Sequence, residues 1–139
     1  LVDAGIPVMG HLGLTPQSIH EFGGFKMQAR NDLAAQTLQE EALELEEAGC
    51  FSIVLECIPS HVAERVTEAL AIPTIGIGCG PETSGQVLVI NDLLGLDSRF
   101  QPPFARRYMD ADQMITRAIE GYCEDVRERE YPGEGEYKV

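Results

Sequence analysis

The stretch Phe51-Ser-Ile-Val-Leu-Glu-Cys-Ile-Pro59 decides the fold. From Phe51 to Glu56 it is almost wholly apolar and β-branched or aromatic. A carboxylate, Glu56, ends it, and Pro59 with the helix starter Ser60 follows. A continuous apolar run bounded in this way reads as a parallel strand buried on both faces. Glu56 then stands at the C-terminal end of that strand, the place where α/β architectures put their chemistry. A solvated strand-end residue is the plain alternative.

Working upstream, Ile6-Pro-Val-Met9 reads as a short strand. It is followed by the glycine-containing loop Gly10-His-Leu-Gly-Leu-Thr-Pro-Gln17, with His11 at the strand's C-terminal end. Such a histidine either bonds a backbone carbonyl or points into the mouth of a site. Residues 18–30 look irregular, a loop long enough to cover a pocket. Asn31 or Asp32 can cap a helix running to about Ala48. Leu38, Ala42 and Leu45 share one face of it, and Glu40, Glu41, Glu44 and Glu47 lie away from that face. This is a surface helix covering a sheet, its acids a solvated face rather than a metal site. Gly49 suits its C-terminal end.

Downstream, Ser60 can cap a second helix, with Val62, Val66 and Ala69-Leu70 as its buried stripe. Thr74–Ile77 reads as a third strand and Gly85–Ile90 as a fourth, ending in Asn91-Asp92. The Pro-rich step Gln101-Pro-Pro-Phe104 precedes a short helix. A last helix is expected over 111–130, with Met114, Ile115, Ala118, Ile119, Tyr122 and Val126 on its apolar side. From Tyr131 onward the tail, 131–139, should be mobile. Four strands of parallel character alternate with helices, and His11, Glu56, Asn91 and Asp92 stand at strand ends. That is the pattern of a TIM (β/α)8 barrel, whose active site collects at the C-terminal ends of its strands. A complete barrel needs eight strands and typically ~250 residues, so half a barrel is expected here, a single partial α/β domain over residues 1–139.

Composition narrows the function. With a net charge of −13 and no basic patch, the chain is unsuited to nucleic acid or an anionic membrane. No apolar run approaches the ~20 residues that span a bilayer. Leu1 opens without a charged leader region, and Leu-Val-Asp-Ala-Gly reads as the end of a helix, as in a chain cut from a longer one. Cys50, Cys57, Cys79 and Cys123 show no metal-ligand spacing and read as free thiols in a reducing, cytoplasmic compartment. Gly76-Ile-Gly-Cys-Gly80 fails the dinucleotide fingerprint, because its third glycine comes one residue early and Pro81 follows. The glycines instead let the backbone approach a ligand or a neighbouring loop.

Several strings in order resemble the ketopantoate hydroxymethyltransferase (3-methyl-2-oxobutanoate hydroxymethyltransferase) family. They are Gly10-His-Leu-Gly-Leu-Thr-Pro-Gln-Ser18, Phe22-Gly-Gly-Phe-Lys-Met-Gln28, Val54-Leu-Glu-Cys-Ile-Pro59, Thr67-Glu-Ala-Leu-Ala-Ile-Pro73, Ile75-Gly-Ile-Gly78 and Tyr131-Pro-Gly-Glu134. The resemblance runs from Gly5 to Glu134 and implies the C-terminal half of a TIM barrel, strands five to eight. It implies an enzyme that binds a 2-oxo acid on Mg²⁺, removes a proton from C3 and adds a one-carbon unit from 5,10-methylenetetrahydrofolate, giving 2-dehydropantoate. Glu56 matches the family's catalytic base. His11 matches a histidine lining the same pocket, in a supporting hydrogen-bonding role. Ile77 and Val89 match apolar positions against the branched end of the substrate. The family's Mg²⁺-binding aspartates and substrate lysine lie on the first four strands, so no metal ligand is expected in this chain. Asp92 and Glu82 match no metal position.

The resemblance further implies a homo-oligomer when complete. A half barrel alone has unpaired edge strands and an exposed apolar inner face, so self-association or membership of a longer polypeptide is expected. Two other readings compete: another metal-dependent 2-oxo-acid enzyme, such as a C–C lyase, and a non-catalytic half-barrel assembly module.

Overall fold

The computed structural model describes residues 1–15 and 27–138. They fall into two compact units, Leu1–Val87 and Leu88–Val139. The first opens with a 3-10 turn, Val2–Ala4, closed by Gly5 in the left-handed region. It then runs β1 (Met9–Gly13), α1 (Asp32–Glu47), β2 (Ser52–Glu56), α2 (Ser60–Ala69), β3 (Thr74–Ile77) and β4 (Gly85–Gln86). The four strands form one sheet in the order β1-β2-β3-β4, every neighbouring pair parallel.

β2 is the strand expected from its apolar run, but Phe51 lies outside it, 50% exposed, and Val54 on the far face is only half-buried, so one face and not both is buried. Its Ile53 and Leu55 face the helices and join a core with Ala35, Leu38 and Ala42 of α1 and Val62, Ala63 and Val66 of α2. Burial of a branched aliphatic side chain is worth roughly 1.5–3 kcal/mol. Asn31 caps α1 as its sequence suggests, its side chain accepting from the Ala34 amide at 2.9 Å. The four glutamates Glu40, Glu41, Glu44 and Glu47 are exposed. Glu46 differs from them: its Oε1 accepts from the backbone amides of Ala71 at 2.7 Å and Ile72 at 3.0 Å. It thereby ties α1 to the turn that leads into β3. The buried hydroxyls of this unit are also satisfied. Ser52 donates to the Pro73 carbonyl at 2.8 Å, and Thr74 bonds Thr67 of α2 at 2.7 Å.

Several boundaries differ from the sequence reading. The first strand is Met9–Gly13, not Ile6–Met9. Pro7 has no amide to donate, and the ladder begins at Met9↔Ser52. Gly10 belongs in it because a Cβ there would lie 2.9 Å from Leu45 Cδ1 of α1, so the helix can seat closely only over a glycine. The fourth strand is two residues, not six. Its ladder runs out with β3, the last bond being the Val87 amide to the Gly76 carbonyl at 3.0 Å. Ser60 does not cap α2; Pro59 holds that position without a side-chain bond. Ala69 is exposed, and the buried stripe of α2 is Val62, Ala63 and Val66.

The second unit holds α3 (Ile90–Leu94) and α4 (Ala111–Glu128). Asn91 and Asp92 therefore lie inside a short helix, not at a strand end. That helix stands before the Pro-rich step; residues 105–110 form no helix. Gly95 ends α3 at φ +65, and Arg107 packs against it, donating to the Asp97 carbonyl at 3.1 Å. The Arg99 guanidinium and amide hold the exposed Asp97 carboxyl down at about 2. α4 has the expected extent, but its apolar side is open: Met114 is 53% and Ile119 56% exposed. No helix among the described residues is long and apolar enough to cross a membrane.

Replacing Glu46 by Ala leaves two backbone donors without their acceptor. The expected loss is about 1–3 kcal/mol, read as a lower urea midpoint with an unchanged slope. A midpoint equal to that of the unsubstituted chain would show that water replaces both bonds at no cost.

Candidate active site

In a parallel sheet, residues paired across the ladder point to the same face, and residues two apart share it. His11 pairs with Val54, and Val54 with Ile75. Gly13 pairs with Glu56, and Glu56 with Ile77. His11, Glu56 and Ile77 therefore share the face opposite the helices, with Glu56 and Ile77 at the C-terminal ends of β2 and β3 and His11 in the middle of β1. His11 sits within β1 rather than in the loop after it, which sets it one pleat below Glu56.

The two polar groups meet. His11 Nε2 lies 3.0 Å from Glu56 Oε2, with side chains 33% and 19% exposed respectively. Ile77 is buried beside them. Val89 belongs to the second unit, where it is the N-cap residue of α3 and is 52% exposed. Of the four residues singled out from sequence, the sheet brings together three.

Two features of the backbone hold Glu56 in place, and the sequence reading missed both. Gly13 lies beside Glu56 at φ +92, and a Cβ there would run into the Glu56 carbonyl oxygen and approach Ile58 Cγ2 to 2.9 Å. Only glycine meets both demands. Its absence of side chain lets the Leu14 amide reach the Glu56 carbonyl at 2.9 Å. Cys57 adopts φ +51, a left-handed conformation uncommon for a residue with a Cβ. Its amide donates to the Ile77 carbonyl and its carbonyl accepts from the Gln28 amide, both at 2.9 Å. The chain thus turns sharply just after Glu56 while both flanking peptides stay bonded. The glycine at position 13, two residues after a histidine, was the available signal for the first feature. Cys57 carries no sequence signal for the second.

Burial pushes the Cys57 thiol above its ordinary range, and the neighbouring Glu56 and Cys79 push it further. Burial raises Cys79 as well, against a lowering backbone bond at Ile77. All four cysteines are free thiols. The glycines within and after β3 serve close packing against neighbouring loops. A Cβ on Gly76 would lie 2.6 Å from Thr83 Oγ1, and one on Gly80, at φ +87, would strike the Ser60 side chain. An open cleft lies between Gly13 and the first turns of α1, lined by Gln28, Ala29, Asn31, Ala34 and Thr37. The loop expected to cover a pocket falls largely outside the described residues. Among the described residues, no group of three or more His, Cys, Asp or Glu side chains could hold a metal ion.

Four parallel strands in sequential order with flanking helices define the class: an α/β fold consistent with half of a TIM barrel. The ketopantoate hydroxymethyltransferase family model matches residues 1–134. A 3-methyl-2-oxobutanoate hydroxymethyltransferase of Legionella pneumophila (strain Philadelphia 1) is 52% identical over 132 residues, which is 95% of this chain and 50% of that protein. One from Francisella tularensis subsp. tularensis (strain SCHU S4) has the same identity and coverage, and one from subsp. holarctica (strain OSU18) is 51% identical. The chain belongs to the ketopantoate hydroxymethyltransferase family. It spans about half the length of the curated relatives it matches.

Two expectations follow. Gly13→Ala should lower stability by about 1–3 kcal/mol through its left-handed backbone and the clash, whereas Cys57→Gly should change it by less than about 1 kcal/mol. Urea unfolding checks both, and equal losses would count against the steric argument. Cys57 should also alkylate more slowly than an ordinary thiol at pH 8, because a raised pKa leaves less thiolate. Glu56→Gln should speed that alkylation by removing one of the causes; an unchanged iodoacetamide rate in the variant would refute the electrostatic part.

Proposed function

We infer that residues 1–139 supply the base-bearing part of an enzyme that hydroxymethylates 3-methyl-2-oxobutanoate to 2-dehydropantoate, with 5,10-methylenetetrahydrofolate as donor. The observation that carries this reading is the half-buried Glu56 at the end of β2, held by His11 on the adjacent strand. Family membership supports the choice of reaction.

The chemistry asks for a base that reaches a carbon acid in a place water does not freely enter. Glu56 takes the proton from C3 of the oxo acid, and the C–H electron pair becomes the enolate. Water adds to the folate's methylene carbon as one of its two C–N bonds breaks, and C3 bonds to that carbon as the second C–N bond breaks. The hydroxyl thus comes from water, and tetrahydrofolate leaves with its two nitrogens protonated by the proton taken from C3 and one from water. A carboxylate at the rim of an apolar core is suited to the first step, since partial burial removes competing water from the base. Ile77, buried on the same face, offers an apolar wall for the branched end of the substrate, and we assign Val89 to the same task. The Mg²⁺ implied by the family has no set of ligands among the described residues. Its ligands are assigned to sequence outside this chain, and the complete enzyme is assigned a homo-oligomeric state. A cytoplasmic location fits the free thiols.

The test supplies this chain with the half of the Legionella pneumophila relative that it does not match, fused or mixed, and assays folate-dependent formation of 2-dehydropantoate. Activity above that of either half alone is expected, and its absence favours the non-catalytic assembly reading. Product formed without folate would instead point to a C–C lyase. In the active combination, Glu56→Gln should lower turnover by at least ~10²-fold with little change in KM, as for loss of a general base. Near-normal turnover would remove Glu56 from that role.

A further inference from the structure

We propose that His11 is the positioning residue of the Glu56 base: it donates Nε2–H to Oε2 and leaves Oε1 as the oxygen that takes the proton. The proposal rests on the reading of Glu56 given above and deepens it by naming what orients the carboxylate.

A carboxylate that accepts a proton must begin ionised, and an ionised carboxylate only accepts hydrogen bonds. At 3.0 Å the Nε2–Oε2 contact is therefore a bond in which the ring carries the hydrogen. In a neutral ring the lone pair then lies on Nδ1. Among the described residues Oε1 has no hydrogen bond of its own, so the two oxygens are not equivalent.

The need for such a partner follows from the side chain. Glutamate reaches its carboxyl through three torsions, and the last is broad and weakly held. A base displaced by ~1 Å can cost ~10²-fold in rate. His11 reaches its carboxyl through fewer torsions from a backbone fixed by pairing with Val54, two residues before Glu56 on the neighbouring strand. The geometry of the ladder thus sets the ring one pleat below the carboxyl, at bonding distance. Gly13, in register with Glu56, contributes no side chain that could compete for this space.

The kinetic test uses the combination assay above. His11→Leu should lower kcat about 10-fold or more with KM within about 2-fold, because orientation matters chiefly in the transition state. His11→Gln, whose side-chain amide nitrogen falls near the place of Nε2, should restore most of that loss. In Glu56→Gln, adding His11→Leu should cost nothing more, since His11 acts only through Glu56. The proposal is overturned if His11→Leu is fully active, if His11→Gln is no better than His11→Leu, or if the two losses multiply.

A second measurement keeps the two readings apart. Long-range ¹H–¹⁵N correlation of the histidine rings of the chain itself, assigned with His11→Leu, should show hydrogen on Nε2 of His11, with a bonded-nitrogen shift that Glu56→Leu abolishes. Hydrogen on Nδ1, or no response to Glu56→Leu, refutes the positioning bond whatever the assay gives. A bonded Nε2–H together with an unimpaired Glu56→Gln would spare the pairing and sink the base.

Discussion

Parallel pairing fixes which side chains can meet, and everything at the site depends on one rung of it. Gly13, Glu56 and Ile77 form a single row across β1, β2 and β3. The row tolerates a carboxylate because its neighbour on one side has no side chain and its neighbour on the other is apolar. A residue with a Cβ at position 13 would collide with the Glu56 backbone before it touched the carboxyl. The ladder slipped by one residue would turn Glu56 into the helix-facing core, among Ile53, Leu55 and Val66. An ionised group there costs several kcal/mol. Register, glycine and carboxylate therefore select one another.

The same alternation gives the sheet two unlike faces. On the helix side, Ile53 and Leu55 are fully covered by α1 and α2, and the neighbouring hydroxyls of Thr67 and Thr74 satisfy each other. On the other side, Val54 and Ile75 are half-buried and Met9 is exposed. The covered face holds the unit together; the open face carries His11 and Glu56. In a closed barrel the second face would be filled by layers of side chains from the facing strands. Relatives about twice this length have the residues to provide such layers. The open apolar side of α4 belongs to the same imbalance, more apolar surface than these residues cover.

Much of this was legible in the sequence where one physical rule acted alone. β2 was readable because a strand buried on one face and half-buried on the other leaves little room for polar residues before its end. α1 was readable because its apolar stripe and its Asn31 cap agree. The site was legible as far as Glu56, a carboxylate closing an apolar run. His11 was legible as a residue near a strand end but not as a residue inside one. The glycines around it look like a loop in isolation, and only the packing of Leu45 over Gly10 makes them a strand. β4 was overestimated because Val87, Leu88 and Val89 favour strands, yet a strand needs a partner and β3 ends first. Position 57 was illegible, because its left-handed turn is imposed by two backbone bonds from distant residues, Gln28 and Ile77.

That last point bears on why a carboxylate at this place can be held still. Strand ends fray when their final peptides lack partners. Here the Glu56 carbonyl accepts from the Leu14 amide, and the next residue, Cys57, is bonded on both sides, its amide donating to the Ile77 carbonyl and its carbonyl accepting from the Gln28 amide. Glu56 thus sits on backbone as well tied as the middle of a strand, although it is the last residue of one. The left-handed turn at Cys57 costs of order 1 kcal/mol, and those bonds offset it. The turn removes the chain from the face where Glu56 and His11 meet, so the carboxyl is left at a rim with its own backbone out of the way. A general base needs fixed backbone, one oriented oxygen and an open approach to the other. In the role proposed for Glu56, the ladder supplies the first, His11 the second, and the turn at Cys57 the third.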